Sequence, residues 1–121
     1  MNKEPVNVTY STYSPFSGRL GNVEVEAMAH VLFVAMEMTG VEFGTKLPVS
    51  VINDAIEYLA EKNELHSHFV TFPNECAQAI WKMEKLGILT VHSKVSGRMT
   101  GVTIPPESNL ATMMSAAKNK E

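Results

Sequence analysis

The chain has 121 residues but one cysteine, one tryptophan and no excess of positive charge. A single cysteine excludes an internal disulfide framework and fits a reducing compartment. No apolar run approaches the ~18–20 residues that a membrane span needs. No apolar stretch follows the lysine of Met1-Asn2-Lys3-Glu4-Pro5, so these residues do not read as a secretory signal, and a cytoplasmic location is expected. Ten basic against thirteen acidic residues give a net charge of −3 and a pI near 5.8, which excludes a strongly basic nucleic-acid coat. Aromatics make up only 7% of the chain, yet 45% is hydrophobic, too much for a wholly disordered sequence. The length suits one domain with a core that needs neither disulfide nor metal.

Charge is divided along the chain. Residues 21–65 carry a net −6, and residues 66–104 carry +2 from Lys82, Lys85, Lys94 and Arg98 against Glu75 and Glu84. Either one face meets an anionic partner or the surface is simply mixed and solvated.

Residues 1–20 read as an N-terminal extension rich in Ser, Thr, Tyr, Pro and Gly. Val6, Val8 and Tyr10 alternate as a short edge strand would, before Ser14-Pro15 and Ser17-Gly18 break regular structure. Asn7-Val8-Thr9 matches a glycosylation acceptor by coincidence, since nothing indicates secretion. The spacing then predicts a first helix over Val23–Thr39, with Asn22 as N-cap, Glu24 and Glu26 at the positive end of the dipole and Gly40 as the stop. Its apolar residues cover nearly the whole circumference, so the helix is buried by the rest of the domain or by a second subunit. A second helix starts at Pro48-Val49-Ser50, with proline in the first turn and Val51, Ile52, Ala55, Ile56, Leu59 and Ala60 as one stripe. Asn63 to Phe72 reads as a loop with a brief extended piece at Phe69-Val70-Thr71. A third helix runs from about Pro73 to Leu86, stopped by Gly87, with Cys76, Ala79, Ile80, Met83 and Leu86 facing inward. Ile88–His92 and Met99–Ile104 are strand-like, and Ser96-Gly97 is a hairpin turn signal. Pro105-Pro106 ends the hairpin. Residues 108–118 form a short amphipathic helix with Leu110, Met113, Met114 and Ala117 on one side.

The run Ala79-Ile80-Trp81-Lys82-Met83-Glu84-Lys85-Leu86-Gly87-Ile88-Leu89, followed directly by a hairpin over Thr90–Ile104, resembles the end of a recognition helix and the wing of the winged helix-turn-helix superfamily. The resemblance covers residues 23–104. It implies a mainly α fold with a small β-hairpin: three helices plus a two-stranded wing over residues 21–104, and a C-terminal helix and tail over 105–121. The sequence departs from the pattern in its connection from helix two to helix three, Asn63 to Phe72, which is longer than the tight turn of a helix-turn-helix.

In such a fold helix three would expose Asn74, Glu75, Ala77, Gln78, Trp81 and Lys82. Amide side chains suit adenine in the major groove, so Asn74 and Gln78 are candidates for base edges. Lys82, Lys85, Lys94 and Arg98 are candidates for phosphates, which fix position rather than sequence. Glu75 on the same face, and the lack of an arginine on the helix, work against DNA. Trp81 on the outside of a small acidic domain is a candidate protein-interface anchor or packs on a neighbouring loop or helix.

Other chemistry is thin. His66, His68, Cys76 and His92 lack the tight paired spacing of a zinc site, so no metal is expected. Cys76 on an apolar face reads as an inert thiol. Gly44-Thr45-Lys46 lacks the first glycine of a phosphate-binding loop. No Ser/His/Asp grouping or carboxylate pair stands out, so neither an enzyme nor a cofactor is expected. Two functions stand against each other. One is a small winged-helix protein, expected as a homodimer, that binds double-stranded DNA in transcription regulation or as a replication accessory. The other is a winged-helix interaction module or inhibitor, of the kind a phage or plasmid encodes, that binds a protein partner through Trp81.

Overall fold

A computed structural model describes Phe16, residues 18–65, Phe69 and residues 74–119. Among these residues the elements run α1 (Val23–Thr39), β1 (Leu47–Pro48), α2 (Val49–Glu61), α3 (Glu75–Lys85), β2 (Thr90–Ser93), β3 (Met99–Thr103) and α4 (Asn109–Asn119). The fold is mixed: these four helices and one three-stranded antiparallel sheet in the order β1-β3-β2. The alternation at Val6–Tyr10 and the histidines at 66 and 68 lie outside the described residues, as does the expected helix start at Pro73.

Helix α1 has the predicted bounds because both ends are chemically marked. Asn22 is extended, and its Oδ1 accepts the Val25 N–H at 3.0 Å. Gly40 turns left-handed at φ 71° and donates its N–H to the Met36 carbonyl at 2.7 Å, the αL stop that glycine permits. Val25, Met28, Ala29, Val31, Leu32 and Ala35 are essentially inaccessible within the single chain, with α2 and α3 packed against the helix. Leu110, Met113 and Met114 of α4 are buried as well. Most of both apolar stripes is thus covered within the single chain, while Met38 near the end of α1 stays exposed.

Phe16 and residues 18–21, just ahead of α1, belong to the packed unit. The Glu26 carboxylate is buried and accepts the N–H groups of Gly18, Leu20 and Gly21 at 2.9, 2.9 and 3.1 Å. This turn carries Phe16, fully buried, edge-on to Phe33 with ring centroids 5.8 Å apart.

Strand β1 was not expected from the sequence. Leu47 and Pro48 pair with Val102 and Gly101, and proline suits this edge because it has no N–H to leave unpaired. Pro48 therefore precedes α2 in an extended conformation (φ −68°, ψ 151°), rather than sitting in its first turn. Gly101 permits the approach: a Cβ there would lie 2.6 Å from the Leu47 carbonyl oxygen.

Helix α3 buries Cys76, Ala79, Ile80 and Met83 as predicted, but Leu86 is 58% exposed. The expectation that Leu86 points inward fails because the helix has already ended. Gly87 (φ 77°) donates to Glu84 O and Ile88 donates to Met83 O, the paired bonds of a Schellman stop. The reversal sends Ile88 and Leu89, not Leu86, back to the core. Phe69, expected in an extended piece, has helical backbone and is buried.

Strands β2 and β3 pair from Thr90↔Thr103 to Ser93↔Met99, with a register irregularity at His92/Ser93. His92 Nε2 lies 2.7 Å from Thr103 Oγ1. On the outer edge of β2 the Val91 N–H donates to Glu84 Oε2 of α3 at 2.9 Å. The hairpin turn closes with Lys94 N–H to Arg98 O and Gly97 N–H to Lys94 O, both 2.8 Å. Ser108 caps α4 by accepting the Ala111 N–H at 3.1 Å.

Candidate functional site

Helix α3 has one buried face, so the remaining positions are set by the 3.6-residue period. Asn74, Ala77, Gln78, Trp81, Lys82 and Lys85 are exposed, and Glu75 is half-buried. Asn74, Gln78 and Lys82 follow one another at four-residue spacing, as do Ala77, Trp81 and Lys85, so they form one continuous strip. The five predicted α3 residues are therefore brought together on one surface, with Trp81 38% exposed.

Lys82 is not an unpaired cation. Its Nζ lies 2.8 Å from Glu24 Oε1 at the start of α1. The hydrogen bond and charge of Glu24 hold its ammonium above the ordinary lysine value. Both side chains are substantially solvated, and such exposed pairs contribute little to stability. The pair does offset the lysine's charge where an anionic partner would need it. The contact joins residues far apart in sequence, and nothing in the local pattern announced it.

Lys94 and Arg98 stand opposite each other at the base of the hairpin turn, both exposed. Between them Val95 projects fully into solvent. Arg98 also shares a cleft with α3: a space of about 560 Å³ between α2, α3 and β3 is lined by Arg98, Asn74, Asn53, Cys76 and Met99, among others. The cleft thus brings the hairpin arginine and the start of α3 to one place, and adds Asn53 of α2. Lys94 does not line this cleft.

Cys76 is buried beneath the strip. Burial, reinforced by the charge of Glu75, pushes its thiol up to about 11, so it stays protonated and unreactive at neutral pH. Among the described residues no group of three His, Cys, Asp or Glu side chains is placed to hold a metal ion, and no helix is long and apolar enough to cross a membrane. Comparison with protein-family models, curated proteins and solved structures returns no match.

Proposed function

We propose that the chain is a winged-helix protein that binds double-stranded DNA, as a transcription regulator or replication accessory. In this reading α3 enters the major groove and the β2–β3 hairpin lies along the backbone. The observation that carries it is the element order α1-β1-α2-α3-β2-β3 with strand order β1-β3-β2. This arrangement sets an exposed helix beside an exposed hairpin whose turn bears two cations. A helix fits the major groove, where Asn74 and Gln78 are the amides available for base edges. Lys85, Lys94 and Arg98 supply phosphate contacts, with Lys82 contributing only as far as Glu24 releases it.

Fluorescence anisotropy on a mixed-sequence duplex at stepped salt concentrations tests this. Three phosphate contacts give a slope of log K against log salt of about −3. Lys94→Ala and Arg98→Ala should each flatten that slope by about one and weaken all sequences alike, whereas Gln78→Ala should change sequence preference. Failure of the folded protein to bind any duplex at low salt overturns the reading.

Trp81 supports a second reading, a protein-binding module. Trp81 of α3 and Leu86 just past its end are both exposed, and the Glu24–Lys82 pair lowers the free positive charge beside them. A protein partner would make Trp81→Ala cost at least about 2 kcal/mol of binding, with little salt response.

A further inference from the structure

Residues 21–65 carry a net −6, and part of this acidic balance is concentrated at one place away from the α3–hairpin surface. Phe33, Glu37 and Met38 of α1, and Tyr58 of α2 with Glu64 just beyond it, line an open cleft of about 400 Å³, and His30 completes it. That volume is within the ~300–1,000 Å³ of small-ligand sites. The cleft shares no lining residue with the α3–hairpin surface.

The charged side chains that line this cleft, Glu37 and Glu64, are acidic, and the one cation beside it is Lys62, over the Tyr58 ring. The cleft lies at the C-terminal ends of α1 and α2, where the helix dipoles are negative and a cation is favoured. Neither helix places a basic residue in its last turn. Glu37 occupies the last turn of α1, the wrong end for an acid on stability grounds. Among the described residues the carboxylates of Glu37 and Glu64 have no ion-pair or hydrogen-bond partner, and the bond at Glu64 is its backbone N–H to Leu59 O. His30 is only 7% exposed, and its Nδ1 is buried without any hydrogen-bond partner; such an orphan costs stability. Burial holds the His30 pKa below the ordinary histidine value, against the opposing pull of Glu64. Burial thus favours the neutral ring, which keeps one nitrogen lone pair. The Tyr58 ring already attracts a cation, with Lys62 Nζ 5.1 Å from its centroid.

We infer that this cleft binds an organic cation, a guanidinium group on an apolar stem. Two carboxylates and a neutral imidazole accept hydrogen bonds, and Phe33, Met38 and Tyr58 cover the stem. A guanidinium matches carboxylates in two-pronged fashion, stacks on aromatic rings and is weakly hydrated enough for a half-buried site. The same chemistry is carried by a free alkylguanidine or by an arginine of a partner protein.

The test follows the His30 ring signals by NMR in the intact chain at fixed ionic strength. n-Butylguanidinium chloride should shift them saturably with millimolar affinity, and n-butanol should not. Glu37→Gln and Glu64→Gln keep side-chain size at an exposed and a half-buried position, so the fold persists; each should weaken binding about two- to fivefold, the range of an exposed ion pair. N-acetyl-arginine methylamide distinguishes the sources. Binding as tight as that of n-butylguanidinium assigns the site to a partner's arginine, and much weaker binding assigns it to a free alkylguanidine. No His30 shift at tens of millimolar n-butylguanidinium, an equal shift from n-butanol, or unchanged affinity in the Glu37→Gln/Glu64→Gln double variant overturns the proposal.

Discussion

Replacing Glu26 by glutamine separates two roles that one carboxylate can play at the start of a helix. If Glu26 only complements the α1 dipole, the loss is about 0.3–1 kcal/mol. The structure gives it more to do. Oε1 accepts from Gly18, and Oε2 accepts from both Leu20 and Gly21. A glutamine in the same place keeps one acceptor oxygen and turns an NH2 group toward the remaining amide. With its oxygen toward Leu20 and Gly21, it leaves Gly18 facing a donor. The two surviving bonds lose their charge assistance. Hydrogen bonds to charged groups contribute about 1.5–3 kcal/mol each, and an unsatisfied buried donor costs a further ~1–3. Since the bonds share one side chain and are not additive, the expected total is about 2–3 kcal/mol. Urea denaturation followed by circular dichroism measures it, with a matching fall in Tm of about 8–12 °C. Phe16→Ala should cost about 3–5 kcal/mol alone. Because the same turn places Phe16 against Phe33, the double variant should lose less than the two separate losses combined. A Glu26→Gln loss under 1 kcal/mol, additive with Phe16→Ala, would refute the cradle and leave only the dipole.

Three further outcomes are expected. His30, whose pKa is depressed by burial, favours the fold while neutral, so stability should be full above about pH 6.5. It should fall as the pH drops toward the folded-state pKa; Glu37, Tyr58 and Glu64 line the cleft with it, and in His30→Leu this part of the urea-monitored pH dependence should vanish. Gly101→Ala puts a methyl carbon 2.6 Å from the Leu47 oxygen, so β1 must part from β3. The cost should be about 1–3 kcal/mol, and faster amide exchange at the β1–β3 pairing should accompany it. Cys76, buried and protonated with its thiol up at about 11, should react with a disulfide reagent at pH 8 at least ~100-fold more slowly in the folded protein than in urea; equal rates would contradict its placement.

The elements with chemical punctuation were legible in the sequence. Asn22 and Gly40 bound α1, Leu86-Gly87 ends α3, and Ser96-Gly97 marks the turn between β2 and β3. Strand β1 was not, since two residues have no periodicity and Pro48 reads as a helix start. Leu86 misled because the apolar spacing continues one residue past Lys85, where the helix ends ahead of the reversal at Gly87. The exposed strip on α3 was legible too, as the complement of an apolar face. Its electrostatics were not. Glu24 looks like a dipole partner and Lys82 like a phosphate contact, and only the packing of α1 on α3 brings them to 2.8 Å. The cleft at His30 has the same origin: its lining residues come from two helices whose C-terminal ends meet only in the fold.

The bond from the Val91 N–H to Glu84 has a consequence for behaviour at high concentration. An edge strand with free donors is a template on which another chain can add. Among the described residues β2 is an edge of the sheet, yet its Val91 amide is occupied by a carboxylate of the chain's own helix. An incoming strand would have to displace that carboxylate and accept a negative charge against its own carbonyl oxygens. Glu84 therefore works as a guard against intermolecular sheet growth, and Glu84→Ala should lower the concentration at which the protein aggregates even where its Tm barely moves.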